Sequence, residues 1–193
     1  MKKEIRQLDA AELRAEKTEN GYTIRGYAAV FDKKSLDLGG FREVIQRGAF
    51  ANALASKDLD CVALLNHDNN MLFARSTSGT LSLKEDENGL LSEWTMPDTQ
   101  LGKDTAKLVE RGDISKMSFG FYINKDHWEE RDGEYTRTVL DVSKLVDVSL
   151  VTRPAYPDTS AALRSMDAFK EVQTPTNKRP YKAILTIHEN SLK

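Results

Sequence analysis

Apolar and polar residues alternate with period two along much of this chain, the pattern of strands with one face against a core. The clearest case is Lys116 to Asn124, where Met117, Phe119, Phe121 and Ile123 share one face. Ser118, Gly120 and Tyr122 fall on the other, and the small residues there leave room for another group to approach. Tyr22 to Phe31 follows an Asn20-Gly21 turn signal and is rich in aromatic and β-favouring residues. Leu59 to Asn66 is a further strand, whose alternation, continued one step, sets Cys61, Ala63, Leu65 and His67 on one face. Thr80 to Leu83 and Leu90 to Met96 flank a polar connection ending in Asn88-Gly89, and Glu134 to Leu140 follows Lys116 to Asn124 across an Asp132-Gly133 turn. Leu145 to Thr152 closes the set before Pro154, which cannot continue a central ladder.

The period changes in a few places. Leu101, Thr105, Leu108 and Val109 recur at helical spacing, with Asp98 placed to cap the start and Gly112 the end. A shorter helix is predicted over Ala49 to Ser56, with Phe50 and Leu54 one turn apart. Many short strands with a few inserted helices predict an α+β domain: a β-barrel or strongly curved, mainly antiparallel sheet with a few surrounding helices. The character changes after Pro154. Four of the five prolines lie from there on and bracket a helical segment from Ser160 to Lys170. Residues 171–179 read as linker and Ala183 to Ile187 as a small apolar island. The expected division is one domain over 1–160 and a tail over 161–193, partly helical or flexible.

Composition narrows the function classes. With 193 residues, 39% of them hydrophobic, the chain can bury a sizeable core. A formal charge of −2 gives no support for a nucleic-acid binder. One cysteine precludes an internal disulfide framework, and the lack of a Cys/His cluster argues against a metal site, so no cofactor is expected. No apolar run approaches the ~18 residues of a membrane helix. The first residues lack the apolar segment of a secretory signal, which leads us to expect a cytosolic site of action.

Ser118 is the candidate nucleophile: a hydroxyl on a rigid strand with a glycine two residues on. It needs a base, and the chain offers His67, His127 and His188. His188 lies in the tail. His127 follows Ser118 by nine residues, about 30 Å along an extended strand. His67, on another element, has no such bar, although a lone histidine is also commonly just a solvent-facing or satisfied core residue. Cys61 and His67 are six residues apart, about 20 Å on a regular strand, so they do not pair. Cys61 reads as a small buried hydrophobe. Asp147 interrupts the apolar run Leu145 to Val151, where an ionised carboxylate must be paired or solvated. His67 is one partner for it and an arginine is the structural alternative. Asp68, next to His67, points away from it on a regular strand.

Five ordered blocks then resemble the prohead proteases of tailed phages, whose fold is similar to that of the herpesvirus assemblins. They are Gly26 to Asp32, Phe41 to Phe50, Leu64 to Asp68, Gly112 to Phe121 and Leu145 to Ala155. The resemblance spans roughly residues 22 to 160. It implies that His67 is the catalytic histidine, Ser118 the nucleophile and Asp147 the acidic third member. It also implies that Arg153 helps hold the oxyanion. The implied activity is that of a serine endopeptidase, acting in the host cytoplasm within the prohead. Its implied substrates are the scaffolding segment of the major capsid protein, the scaffold and the protease's own tail, and herpesvirus relatives suggest a homodimer. The contrasting reading is a non-enzymatic, β-rich capsid scaffold component in which Ser118 is simply a small strand residue. A general esterase is less well supported, because no Gly-x-Ser-x-Gly elbow surrounds Ser118.

Overall fold

The computed structural model describes residues 3–8, 13–19, 21–152 and 160–173. Ten strands follow in chain order: β1 Glu4–Leu8, β2 Arg14–Thr18, β3 Gly21–Val30, β4 Phe41–Ile45, β5 Val62–Leu65, β6 Asp68–Arg75, β7 Leu81–Glu85, β8 Gly89–Thr95, β9 Lys116–Arg131 and β10 Glu134–Val151. Three helices accompany them, α1 Ala51–Ala55, α2 Gln100–Glu110 and α3 Ser160–Gln173. One sheet has the order β1-β9-β10-β5-β6, with β4 also pairing β10; the other runs β2-β3-β8-β7. The result is mostly β, a strongly curled half-barrel with few helices, as the alternation predicts. Pairing is mainly antiparallel; β4 and β5 run parallel to β10.

The longest hairpin organises the molecule. β9 and β10 meet across the Asp132-Gly133 turn, where both residues have positive φ. The segments expected as separate strands over 134–140 and 145–152 are one strand of 18 residues. Register shifts between Val139 and Asp147 carry it round the curve, so its first part pairs with β4 and its last part with β5. Local alternation breaks at those shifts, which is why the sequence reads as two strands.

The core lies between the two sheets. Met117, Phe119 and Phe121 of β9 and Leu145, Val148 and Leu150 of β10 meet Ile24, Leu90 and Trp94 from the second sheet, all essentially inaccessible. Phe119 packs edge-on to Phe50 at 5.5 Å between ring centroids and lies 4.7 Å from Phe121. Rings buried this way each stabilise the fold by about 1.5–3 kcal/mol relative to exposure, before any ring–ring term. Ile114 and α2 close one end of this core, and Thr99, not Asp98, caps α2 by accepting from the Gly102 amide at 3.1 Å. Gly112, with φ +82°, follows the helix as predicted. α3 seats Met166 in a smaller cluster with Phe41 and Trp128, and Trp128 Nε1 donates to Ser165 Oγ at 2.9 Å. Residues 174–193, including the apolar island, lie outside the described residues. No helix among the described residues is long and apolar enough to cross a membrane.

Candidate active site

Three neighbouring elements of the first sheet bring the candidate residues together. Ser118 lies on β9 directly opposite Ser149 of β10, and Gly120 lies opposite Asp147. On the far side of β10, β5 pairs in parallel from Val62 opposite Asp147 to Leu65 opposite Leu150. His67 therefore leaves β5 beside the end of β10.

It does so from a turn, not from the strand. Leu65 pairs with Asp68, and the two residues between them, Asn66 and His67, have φ of +52° and +60°. Positive φ at both central positions is the requirement of a type I′ hairpin turn, whose twist suits the flanking strands. A left-handed conformation costs a residue such as histidine about 1–2 kcal/mol. The surroundings hold it: the Asn66 amide donates to the Leu150 carbonyl at 2.8 Å, and Asn66 Oδ1 accepts from the Thr152 amide at 3.0 Å. The strained turn is thus tied to the end of the strand that carries Asp147.

The imidazole spans the gap between β9 and β10. His67 Nε2 is 2.7 Å from Ser118 Oγ, and Nδ1 is 2.5 Å from Asp147 Oδ1. Ser149 Oγ donates to the same carboxylate oxygen at 2.8 Å and stands 3.2 Å from Nδ1. An ionised carboxylate only accepts, so Nδ1 carries a proton toward Asp147, and in the neutral ring Nε2 then presents its lone pair to Ser118. Ser118, Asp147 and Ser149 are fully buried, while the imidazole keeps 10% of its surface exposed.

Asp147 is the most heavily supported member. Burial by itself would push its carboxyl up. The hydrogen bond and charge of His67, together with Lys3, outweigh that and hold it below the usual carboxylate range. Lys3 Nζ stands 2.7 Å from Oδ2, as an ion pair without the alignment of a hydrogen bond. Gly120 makes this arrangement fit, since a Cβ there would collide with Asp147 Oδ2 and with Lys3 Cε. The room expected beside Ser118 is filled by the carboxylate.

Other candidates are placed elsewhere. His127 lies on β9 opposite Thr138, nine residues along the strand from Ser118. Asp68 accepts from the Asn70 amide and takes no part in the cluster. Cys61 is buried, and burial followed by the nearby carboxylates pushes its thiol far up, so it is inert as a nucleophile. Arg153 and His188 lie outside the described residues. Among the described residues no group of three or more His, Cys, Asp or Glu side chains is arranged to hold a metal.

Sequence reasoning missed Ser149, Lys3 and Asn66. Ser149 carried a signal, since it shares the strand face of Asp147 two residues on. Lys3 and Asn66 carried none, because their roles depend on pairing distant in the chain.

No curated protein matches the chain. Among solved structures, the chain is similar to the bacteriophage T4 capsid assembly protease gp21, at 9% identity and a TM-score of 0.47, over 77% of this chain and 99% of that one. The model of the caudovirus prohead serine protease family, peptidase family S78, matches residues 9–172, a span that includes Ser118, His67 and Asp147. The chain belongs to the caudovirus prohead serine protease family.

Proposed function

We propose that this protein is a serine endopeptidase in which Ser118 is the nucleophile, His67 the general base and Asp147 the group that orients and stabilises the imidazole. The observation that carries the reading is the unbroken line Ser118 Oγ–His67 Nε2 and His67 Nδ1–Asp147 Oδ1, at 2.7 and 2.5 Å. A non-enzymatic scaffold component has no need of that alignment, nor of a strained histidine turn to make it.

In the proposed reaction Ser118 Oγ attacks a scissile peptide carbonyl while its proton passes to His67 Nε2. The imidazolium is stabilised by Asp147, whose carboxylate stays charged. His67 then gives the proton to the leaving amine, and water resolves the ester by the same route in reverse. Backbone N–H groups, with the Arg153 implied by the family likeness, would receive the developing oxyanion.

The substrates that fit a prohead protease are the scaffolding segment of the major capsid protein, the scaffold and this chain's own tail, met inside the prohead. Four of the chain's five prolines lie from Pro154 on, and self-cleavage is proposed within that stretch of sequence. Co-expression with the cognate capsid protein tests the assignment. Wild-type protein should trim the capsid subunit, whereas Ser118→Ala and His67→Ala should not. Trimming by Ser118→Ala would overturn it. Sedimentation of the purified chain tests the homodimer separately.

A further inference from the structure

The first strand lies directly beside Ser118. β1 pairs antiparallel with β9, placing Gln7 opposite Ser118 and Arg6 opposite Phe119. The Arg6 carbonyl accepts a hydrogen bond from Ser118 Oγ at 2.8 Å. A hydroxyl has one proton. If Ser118 gives it to Arg6, none is left for the lone pair of His67 Nε2, and the contact a general base requires is not made. With β1 seated, Ser118 is also wholly shielded from solvent. A hydrolase with its nucleophile buried and its proton engaged by a strand of its own chain is closed.

The seat is specific and reversible in its chemistry. On one face of β1, Glu4 and Arg6 enter a buried charge network: Arg6 makes a two-pronged contact with Glu43 at 2.6 and 2.9 Å, and Arg137 bonds Glu4 at 2.8 and 3.2 Å. On the other face Lys3 reaches Asp147. When β1 leaves, the charge network strands no ion, and Asp147, giving up Lys3, keeps its hydrogen bonds to His67 and Ser149. Arg137 keeps Glu43 at 3.2 Å and Asp126 at 2.7 Å, while Glu4 and Arg6, already 2.5 Å apart, depart as a pair. Buried ions that keep partners avoid the heavy cost of an orphaned charge. Among the described residues the backbone ladder of β1 is with β9 alone, so release exposes one strand edge. β1 also lies ahead of the family-matched segment 9–172.

We propose that the edge of β9 is a peptide-binding groove selecting an extended segment with an acidic residue two positions before a basic one. β1 is such a segment bound in cis, with its Arg6 carbonyl at the nucleophile, and it holds the site shut. The occupant is held by strand pairing and by the Glu43/Arg137 pair, the strand-addition mode of peptide recognition. This inference rests on the proteolytic reading of the site.

Two full-length variants test it. Arg6→Glu sets a third carboxylate beside Glu4 and Glu43; Ile5→Pro breaks the strand without touching the charges and decides the matter if the first does not fold. Hydrogen exchange over residues 3–8 reports whether β1 has left. Phosphonylation of Ser118 by a fluorophosphonate, mapped by mass spectrometry, reports access. We expect release of β1 to speed phosphonylation at least tenfold, and the added hexapeptide of residues 3–8 to slow it again. Release with unchanged or slower phosphonylation would overturn the proposal, since β1 would then be part of the working site. Binding of the fluorescein-labelled hexapeptide to Arg6→Glu carrying Ser118→Ala separates the two readings. Binding without phosphonylation or hydrolysis in any form sustains the groove and removes the protease. No binding, with capsid protein still cleaved by the wild type, removes the groove and leaves the protease.

Discussion

The β9–β10 hairpin carries two buried polar clusters, and they differ in what their protons can do. One comprises Ser118, His67, Asp147 and Ser149; the other Glu4, Arg6, Glu43 and Arg137, with Asp126 at its margin. Both resolve the same difficulty, that a buried polar group must find a partner. In the second cluster, guanidinium groups meet carboxylates and the charges are fixed. Burial works against Arg6 and Arg137, but the carboxylates around them more than compensate and hold both charged. The first cluster sets an imidazole, whose two nitrogens can hold and pass on a proton, between a hydroxyl and a carboxylate. Satisfied fixed charges fasten a fold. A satisfied group that can still move its proton is available for chemistry.

Substitutions break that comparison in a definite order. Ser118→Ala should lower cleavage of the capsid protein by about 10⁴-fold or more while leaving the thermal midpoint within a few degrees, as measured by initial rates and calorimetry. Asp147→Asn should cost somewhat less, ~10³–10⁴-fold, because the amide cannot support the imidazolium and permits the wrong tautomer. Unchanged kinetics would move the third role elsewhere. In the second cluster, Arg137→Met should cost about 3–5 kcal/mol in denaturant unfolding, since Glu4 and Glu43 lose a buried partner. Gly120→Ala falls between the two behaviours. Its new methyl should displace the Asp147 carboxylate, lowering turnover together with stability, the latter by about 1–3 kcal/mol.

The smallest effect is in acid. The Asp147 carboxyl is held below its ordinary value in the folded protein, so between those two values the unfolded chain binds more protons. Stability from this group is therefore full above roughly pH 4 and is lost as pH falls through the folded value. Unfolding free energies of wild type and Asp147→Asn, followed downward from pH 5, should converge. Curves that stay parallel would show that the carboxylate carries no such linkage.

How much of this the sequence discloses depends on how local the cause is. The alternation from Met117 to Ile123 is local, and it predicts both the buried aromatic face and the small-residue face of β9. Asp147 stands out for the same reason, a charge in an apolar run. The turn at Asn66-His67 has no glycine to announce it, so period-two alternation runs on through residues that in fact bend the chain. The tie to Thr152 and Leu150 that makes this backbone tolerable comes from more than eighty residues away. β1 is still less legible. Glu4-Ile5-Arg6 reads as a polar segment, and its charges face inward only because Glu43 and Arg137 arrive from two other strands.

The most direct test is the fate of Ser118 during proteolysis. Wild-type protein, assayed on the capsid protein proposed as its substrate, would be treated with a fluorophosphonate and mapped residue by residue as activity declines. If Ser118 is the nucleophile, modification falls on Ser118 in proportion to the lost activity, and none occurs there in His67→Ala. Full modification of Ser118 with cleavage undiminished would contradict that role.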